Sequence, residues 1–217
     1  MSSIKEHCCG ADSFFDQKMA EKEYRQYLKN GPSRVTRKII QQLESQNVEE
    51  KSMIDVGGGI GALQWWFLQK GGKKTTDIDA SSGYLKQAKE YASEMGWNGK
   101  AHFIMGDCID VYKEIENSDF ITLDKVVCCY PNYEEIIEST CKKAISYVSL
   151  SYPMDGIISR IIRGFIVVFL ILKKNPYRPY IHSVKEIRNK FKEMGYQRMN
   201  HNLAFPWHVE TYSRSPG

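Results

Sequence analysis

The feature that most limits what this chain can fold into is Met53-Ile54-Asp55-Val56-Gly57-Gly58-Gly59-Ile60-Gly61. A short apolar run breaks into glycines and resumes as a helix-forming segment at Ala62. A strand that turns sharply into a helix, with room for a ligand against its backbone, needs residues without a Cβ. Gly57, Gly59 and Gly61 stand where that need falls, with Gly58 between them. Such a turn belongs to open sheets of mostly parallel strands covered by helices on both faces.

The rest of the chain keeps the same alternation. Residues 12–46 read as a helical cap broken at Gly31-Pro32, with Phe14, Phe15, Met19, Tyr24, Tyr27 and Leu28 forming a partial apolar stripe. Strands are predicted at Ser52–Val56, Lys74–Asp79, Ala101–Met105, Phe120–Leu123 and Ile145–Leu150. Between them lie helices at Ala62–Lys70, at Tyr84–Met95 started by Ser81 or Ser82, and at Tyr133 to about Lys143. Asn132 with Glu135, and Ser183 with Glu186, have the spacing of capping boxes; the helix after Ser183 ends at Gly195. Tyr196–Phe205 and Trp207–Tyr212 read as an antiparallel hairpin joined near Pro206. The expected fold is therefore α/β: a Rossmann-like, doubly wound sheet of about seven strands, closed by an antiparallel hairpin and capped by N-terminal helices. One domain spans 1–217, with its cap at 12–46, a cofactor-binding core at 50–152, an acceptor-side insertion at 153–182 and the closing helix and hairpin at 183–217.

Three acids stand at the carboxyl ends of three successive strands, where open α/β sheets bind ligands. Asp55 closes the first. Asp79 follows at the end of the second, at a spacing that lets a carboxylate accept both ribose hydroxyls of an adenosine. Asp107, after the third, can accept from an adenine amino group. Asp77 competes with Asp79, and Ile78-Asp79-Ala80-Ser81 favours Asp79. Each acid also has a purely structural reading, as a turn stabiliser for Asp55 and as a helix N-cap for Asp79 and Asp107.

Segment 53–107 resembles the glycine, ribose and adenine motifs of class I S-adenosylmethionine-dependent methyltransferases. The resemblance implies S-adenosylmethionine as cofactor, with Asp79 on the ribose, Asp107 on the adenine and Asp55 near the methionine end. Gly57, Gly58, Gly59, Gly61, Ala80, Cys108 and Asp124 complete the expected cofactor set. A narrower resemblance is to the magnesium-protoporphyrin O-methyltransferases. Tyr130-Pro131 matches the end of their His-Tyr-Pro, Arg178-Pro179-Tyr180-Ile181-His182 is similar to their Arg-x-Tyr-Leu-His, and Glu210-Thr211-Tyr212-Ser213-Arg214 to their Phe-Tyr-Ser-Arg ending. Where that family carries a histidine, this chain has Cys129. His182 is then the candidate base, since an imidazole titrates near neutral pH. Cys129 and Tyr130 are the other candidates facing the transferred methyl. His102, His201 and His208 read as structural.

The expected activity is in-line methyl transfer to a small, partly hydrophobic acceptor in a pocket closed by 12–46 and 154–182. Other readings remain open. Gly57, Gly59 and Ala62 also satisfy the GxGxxA of a nicotinamide dehydrogenase. The pairs Cys8-Cys9 and Cys128-Cys129 suit a thiol or metalloid acceptor such as arsenic, because soft thiolates bind soft ions. A non-catalytic S-adenosylmethionine-binding protein is a third alternative. The net charge of +4 is too small to argue for nucleic acid. The six cysteines include no CxxC, so no zinc site or other metal site is expected. With no secretory segment visible, the expected setting is a reducing cytoplasm. Residues 157–172 are apolar yet interrupted by Arg160 and Arg163, which excludes a spanning helix. They read as a lid over the acceptor, or as a weak peripheral membrane contact through 157–174.

Overall fold

The computed structural model describes Cys8 and residues 10–215. After a helical turn at 10–14 come helices α1 (Gln17–Asn30) and α2 (Arg34–Leu43). Then follow β1 (Ser52–Val56), α3 (Ala62–Gln69), β2 (Lys74–Asp79), α4 (Ser82–Glu94), β3 (Ala101–Met105), α5 (Cys108–Val111), β4 (Ser118–Asp124) and α6 (Tyr133–Lys143). The chain closes with β5 (Ala144–Pro153), α7 (Ile157–Leu172), α8 (Val184–Glu193), β6 (Tyr196–Ala204) and β7 (Trp207–Arg214). A single 3-10 turn, Val127–Cys129, follows β4.

The seven strands form one sheet in the order β3-β2-β1-β4-β5-β7-β6. β1 to β5 run parallel to one another, and β7 enters antiparallel between β5 and β6. This is the expected doubly wound sheet with its closing hairpin. The parallel register places Asp55 opposite Asp77 and Asp79 opposite Met105, so the acids gather at one edge of the sheet.

Local chemistry sets the helix ends. Asp16, Ser33, Ser81, Asn132 and Ser183 each accept a hydrogen bond from the backbone N–H three residues on, the usual N-cap arrangement. α2 buries Val35, Ile39, Ile40 and Leu43, one face at helical spacing, against Met53, Phe67 and Phe120. The opposite face of the sheet carries α6 and α8, where Ile136, Ile187 and Phe191 meet Val148 and Leu150. Phe191 stacks on Tyr212 with ring centroids 4.0 Å apart, fixing α8 over β7.

The two N-terminal helices are held differently. α2 packs into the sheet core. α1 rests on an aromatic cluster, in which Trp65 lies 4.0 Å from Tyr91 and 5.1 Å from Tyr27 between ring centroids. α7 departs from the expectation of a buried lid. It buries only Ser159 and Leu170 and exposes most of its large apolar side chains. No helix among the described residues is long and apolar enough to cross a membrane.

Candidate active site

A cavity of about 580 Å³ opens at the carboxyl ends of β1 to β4. Its floor is the loop Gly57–Ile60 with Asp79, Asp107 and Asp124; its roof is the cap, from Phe15 through Tyr27 to Arg37. The expected cap therefore does cover the cleft. The 154–182 segment contributes no lining residue, which removes it from the acceptor wall.

The loop is tied down by the acids beside it. Asp79 accepts from the backbone N–H of Gly59 at 3.1 Å and of Ser81 at 2.8 Å, while Asp77 accepts from the N–H of Gly58 at 3.2 Å. Thus Asp77 and Asp79 do different work: Asp77 is wholly buried under the loop, and Asp79 reaches the cavity wall. Asp55 and Gln64 join Asp77 below Gly58. A Cβ on Gly58 would stand 2.7 Å from Asp77 Oδ1 and from Gln64 Nε2, and 2.9 Å from Asp55 Oδ2. A Cβ on Gly61 would stand 2.7 Å from Trp65 Nε1. Gly61 does not line the cavity, so the need for glycine there is set by Trp65, not by the cofactor.

Crowding three carboxyls away from water raises their affinity for protons. Burial lifts Asp55 to about 7, against the hydrogen bond it accepts from Thr122. Burial likewise lifts Asp79 to about 6, against the backbone N–H groups of Ser81 and Gly59. Asp77 is also raised by burial, with Asp79 and Asp55 adding to the effect.

Asp107 caps α5, accepting from Ile109 N–H at 2.8 Å, and its other oxygen accepts from Cys8 Sγ at 3.5 Å. Asp107 thus caps a helix and lines the cavity as well. Ala80 and Cys108 line the cavity beside it. Asp124 is held by Thr36 of α2 and Ser151 of β5, each at 2.6 Å. It ties the cap to the cleft floor as well as lining the cleft.

On the acceptor side, Cys129 and Tyr130 line the cavity and His182 does not. His182 Nε2 lies 2.9 Å from the Tyr130 carbonyl, and the ring packs between Tyr133 and Tyr180. Burial pulls its pKa down, against the backbone carbonyls of Tyr130 and Val127. As donor to that carbonyl, His182 shapes the loop that carries Tyr130, which removes it as the candidate base. Cys129 Sγ lies 3.0 Å from Tyr177 Oη. A hydrogen bond from Cys128 lowers the Cys129 pKa, and that from Tyr177 adds to it against burial. Tyr130 Oη lies 3.2 Å from Cys108 Sγ. Cys9 lies outside the described residues, so the two expected cysteine pairs are not seen to converge.

Lys125 was not singled out by motif. It holds φ at +64°, a left-handed conformation rare for a residue with a Cβ, while its N–H donates to Ser151 Oγ at 2.8 Å. Its side chain lines the cavity with Arg34 and Arg37, and its Nζ lies 3.8 Å from Asp124. No sequence pattern marks a strained lysine.

Residues 54–143 match the family model described as a methyltransferase domain. No curated protein matches the chain. Among solved structures, magnesium protoporphyrin IX methyltransferase from Synechocystis PCC 6803 with bound SAH is 18% identical, at a TM-score of 0.70, over 94% of this chain and 98% of that one. The same enzyme with bound SAM is 17% identical, at 0.67, over 96% and 97%. An O-methyltransferase family protein from Burkholderia thailandensis is 14% identical, at 0.66, over 89% of this chain and 60% of that one. The glycine loop therefore lies within the part of the chain that matches a methyltransferase domain. Asp79 and Asp107, on neighbouring strand ends, face one cavity as acceptors. Residues 54–143 thus match a methyltransferase domain, and the sheet around them has the fold of methyltransferases solved with SAM and SAH.

Proposed function

We propose that this chain transfers a methyl group to a small, partly hydrophobic acceptor that presents a carboxylate. The observation that carries this reading is the make-up of the cavity: Lys125, Arg34 and Arg37 line it together with Phe15, Tyr27 and Leu63, and among the described residues no histidine does. An amine or alcohol acceptor must lose a proton, and with His182 outside the cavity no imidazole among the described residues lines it to take that proton. A carboxylate is already ionised at neutral pH and needs only a cation to orient it.

S-adenosylmethionine supplies a methyl group already activated by its sulfonium, so the protein need not form a covalent bond. Asp79 and Asp107 are placed to hold the nucleoside, and the glycine loop keeps its backbone open beside them. The cap excludes water, and Lys125 orients the acceptor. Positioning and desolvation then carry the rate.

One observation favours a second reading, a thiol or metalloid acceptor: Cys8, Cys108 and Cys129 line the same cavity. A single methylation panel separates the two. Aromatic and aliphatic carboxylic acids should turn over, the matching alcohols and amines should not, and Lys125→Met should raise KM for the acids about tenfold, a loss of roughly 1.4 kcal/mol. Turnover of alcohols or amines in preference to acids overturns the carboxylate reading. Turnover of trivalent arsenic, lost in Cys129→Ser, establishes the second.

A further inference from the structure

We propose that α7 is a docking helix that lies flat on an anionic lipid surface. The proposal concerns a face remote from the cavity lining and stands independently of the acceptor.

α7 is apolar nearly all round, yet it is not buried. Ile157, Phe165 and Leu172 are 75%, 75% and 77% exposed, and Ile158, Ile161, Val168, Phe169 and Ile171 all exceed half. Only a narrow stripe touches the body: Ser159 and Leu170 are buried, and Arg163 and Val167 are half-buried. Arg163 Nε donates to the Pro179 carbonyl at 2.7 Å and fixes the helix by its back. A contiguous apolar face of this size on a folded domain marks an interaction surface. The patch continues onto the β6–β7 turn. Phe205 is 59% exposed there, and the Pro206 carbonyl accepts from Met154 N–H at 2.9 Å, beside the entry to α7.

The charges decide what covers it. Ile157–Leu172 contains no acidic residue. Arg160 stands in its first turn and Lys173-Lys174 directly follow its end. A second copy seated face to face would bring cations against cations whichever way the helices ran, with no carboxylate on either helix to answer them. Lipid phosphates answer all of them. The helix has 16 residues, about 24 Å, short of the roughly 30 Å needed to cross a hydrocarbon core. Apolar side chains over a wide arc with cations at both ends describe an interfacial helix. The segment leaving α7 then meets the cleft: Asn175 donates to Ser13 at 2.7 Å, and Tyr177 holds Cys129.

The test is co-sedimentation of the full chain with phosphatidylcholine vesicles, with and without about 30% phosphatidylglycerol. Binding to the anionic vesicles should exceed binding to the neutral ones about tenfold and should fall in roughly 0.5 M salt. Ile161→Ser with Phe165→Ser, at exposed positions, should abolish it with an unchanged melting temperature. Arg160→Glu with Lys174→Glu should abolish it by charge alone. No association with anionic vesicles, equal association by the serine variant, or a dimer in size-exclusion chromatography that the serine variant converts to monomer would overturn the proposal.

Discussion

Asp55 is a carboxyl that its neighbours withhold from water, and this gives the protein a stability that depends on pH. Its folded pKa of about 7 lies above the ordinary 3.8, so between those values the folded chain keeps a proton that the unfolded chain loses. That contribution is fully present below about 3.8 and is lost as pH rises through about 7. Each unit of the shift is worth about 1.4 kcal/mol. Melting temperature of the ligand-free protein should therefore fall from about pH 5 to about pH 7.5. Asp55→Asn, which still accepts from Thr122, should flatten that fall; an unchanged slope would show that Asp55 is ionised in the fold. The position of Asp55 was readable from its place before the glycines. Its charge state was not, because that depends on Asp77 and Gln64 closing over it from other elements.

At the scale of elements, the cleft depends on how α2 is fastened. Thr36 donates to Asp124 at 2.6 Å, and Asp124 is otherwise tied to Ser151 of β5. Thr36→Val keeps the shape and removes the donor beside a carboxylate, at a cost of about 1.5–3 kcal/mol. Urea denaturation should show that loss, and Ser33→Ala, which removes the cap and the 2.8 Å hydroxyl contact with Thr36 but keeps the tie to Asp124, should cost about 1 kcal/mol. Equal losses would mean that the tie to Asp124 adds nothing. Elements of this kind were legible where one local signal decides them. β1, β2 and β3 fall at the predicted bounds because each runs into a recognisable turn, at Gly57, Ala80-Ser81 and Gly106. The caps at Asn132 and Ser183 hold because capping is a matter of residues three apart. The role of α7 stays open between a lid and a membrane contact because an apolar helix looks the same in sequence whether its partner is protein or lipid. Nothing in sequence marks the left-handed backbone of Lys125, and His182 reads as a base because the Tyr130 carbonyl beside it lies far away in sequence.

At the scale of the whole molecule, Glu210 joins the closing hairpin to everything around it. It is fully buried and accepts from Tyr152 on β5, Tyr212 on β7, Arg188 on α8 and Arg198 on β6. Burial opposes its ionisation, but the hydroxyls of Tyr152 and Tyr212 and the Arg188 guanidinium hold its pKa below the usual carboxylate value. Glu210→Gln leaves two guanidinium groups facing a neutral amide, and breaking a buried pair of this kind costs about 3–5 kcal/mol. Chemical denaturation should register that loss in one cooperative transition. A change below about 1 kcal/mol would place the arginines in solvent rather than on the carboxylate.

The insertion of β7 between β5 and β6 has a consequence for how the protein is made. β5 finds its outer partner only after residues 154–206 have been translated. At the usual ribosomal pace of about 5–20 residues per second, that edge stays open for on the order of 3–10 s. Throughout that interval Tyr147, Val148, Leu150 and Tyr152 belong to a strand with unpaired backbone groups, the kind of edge that recruits other nascent chains. Synthesis speed across 154–206 therefore sets how much of the newborn protein reaches its native sheet before it meets a neighbour on the polysome.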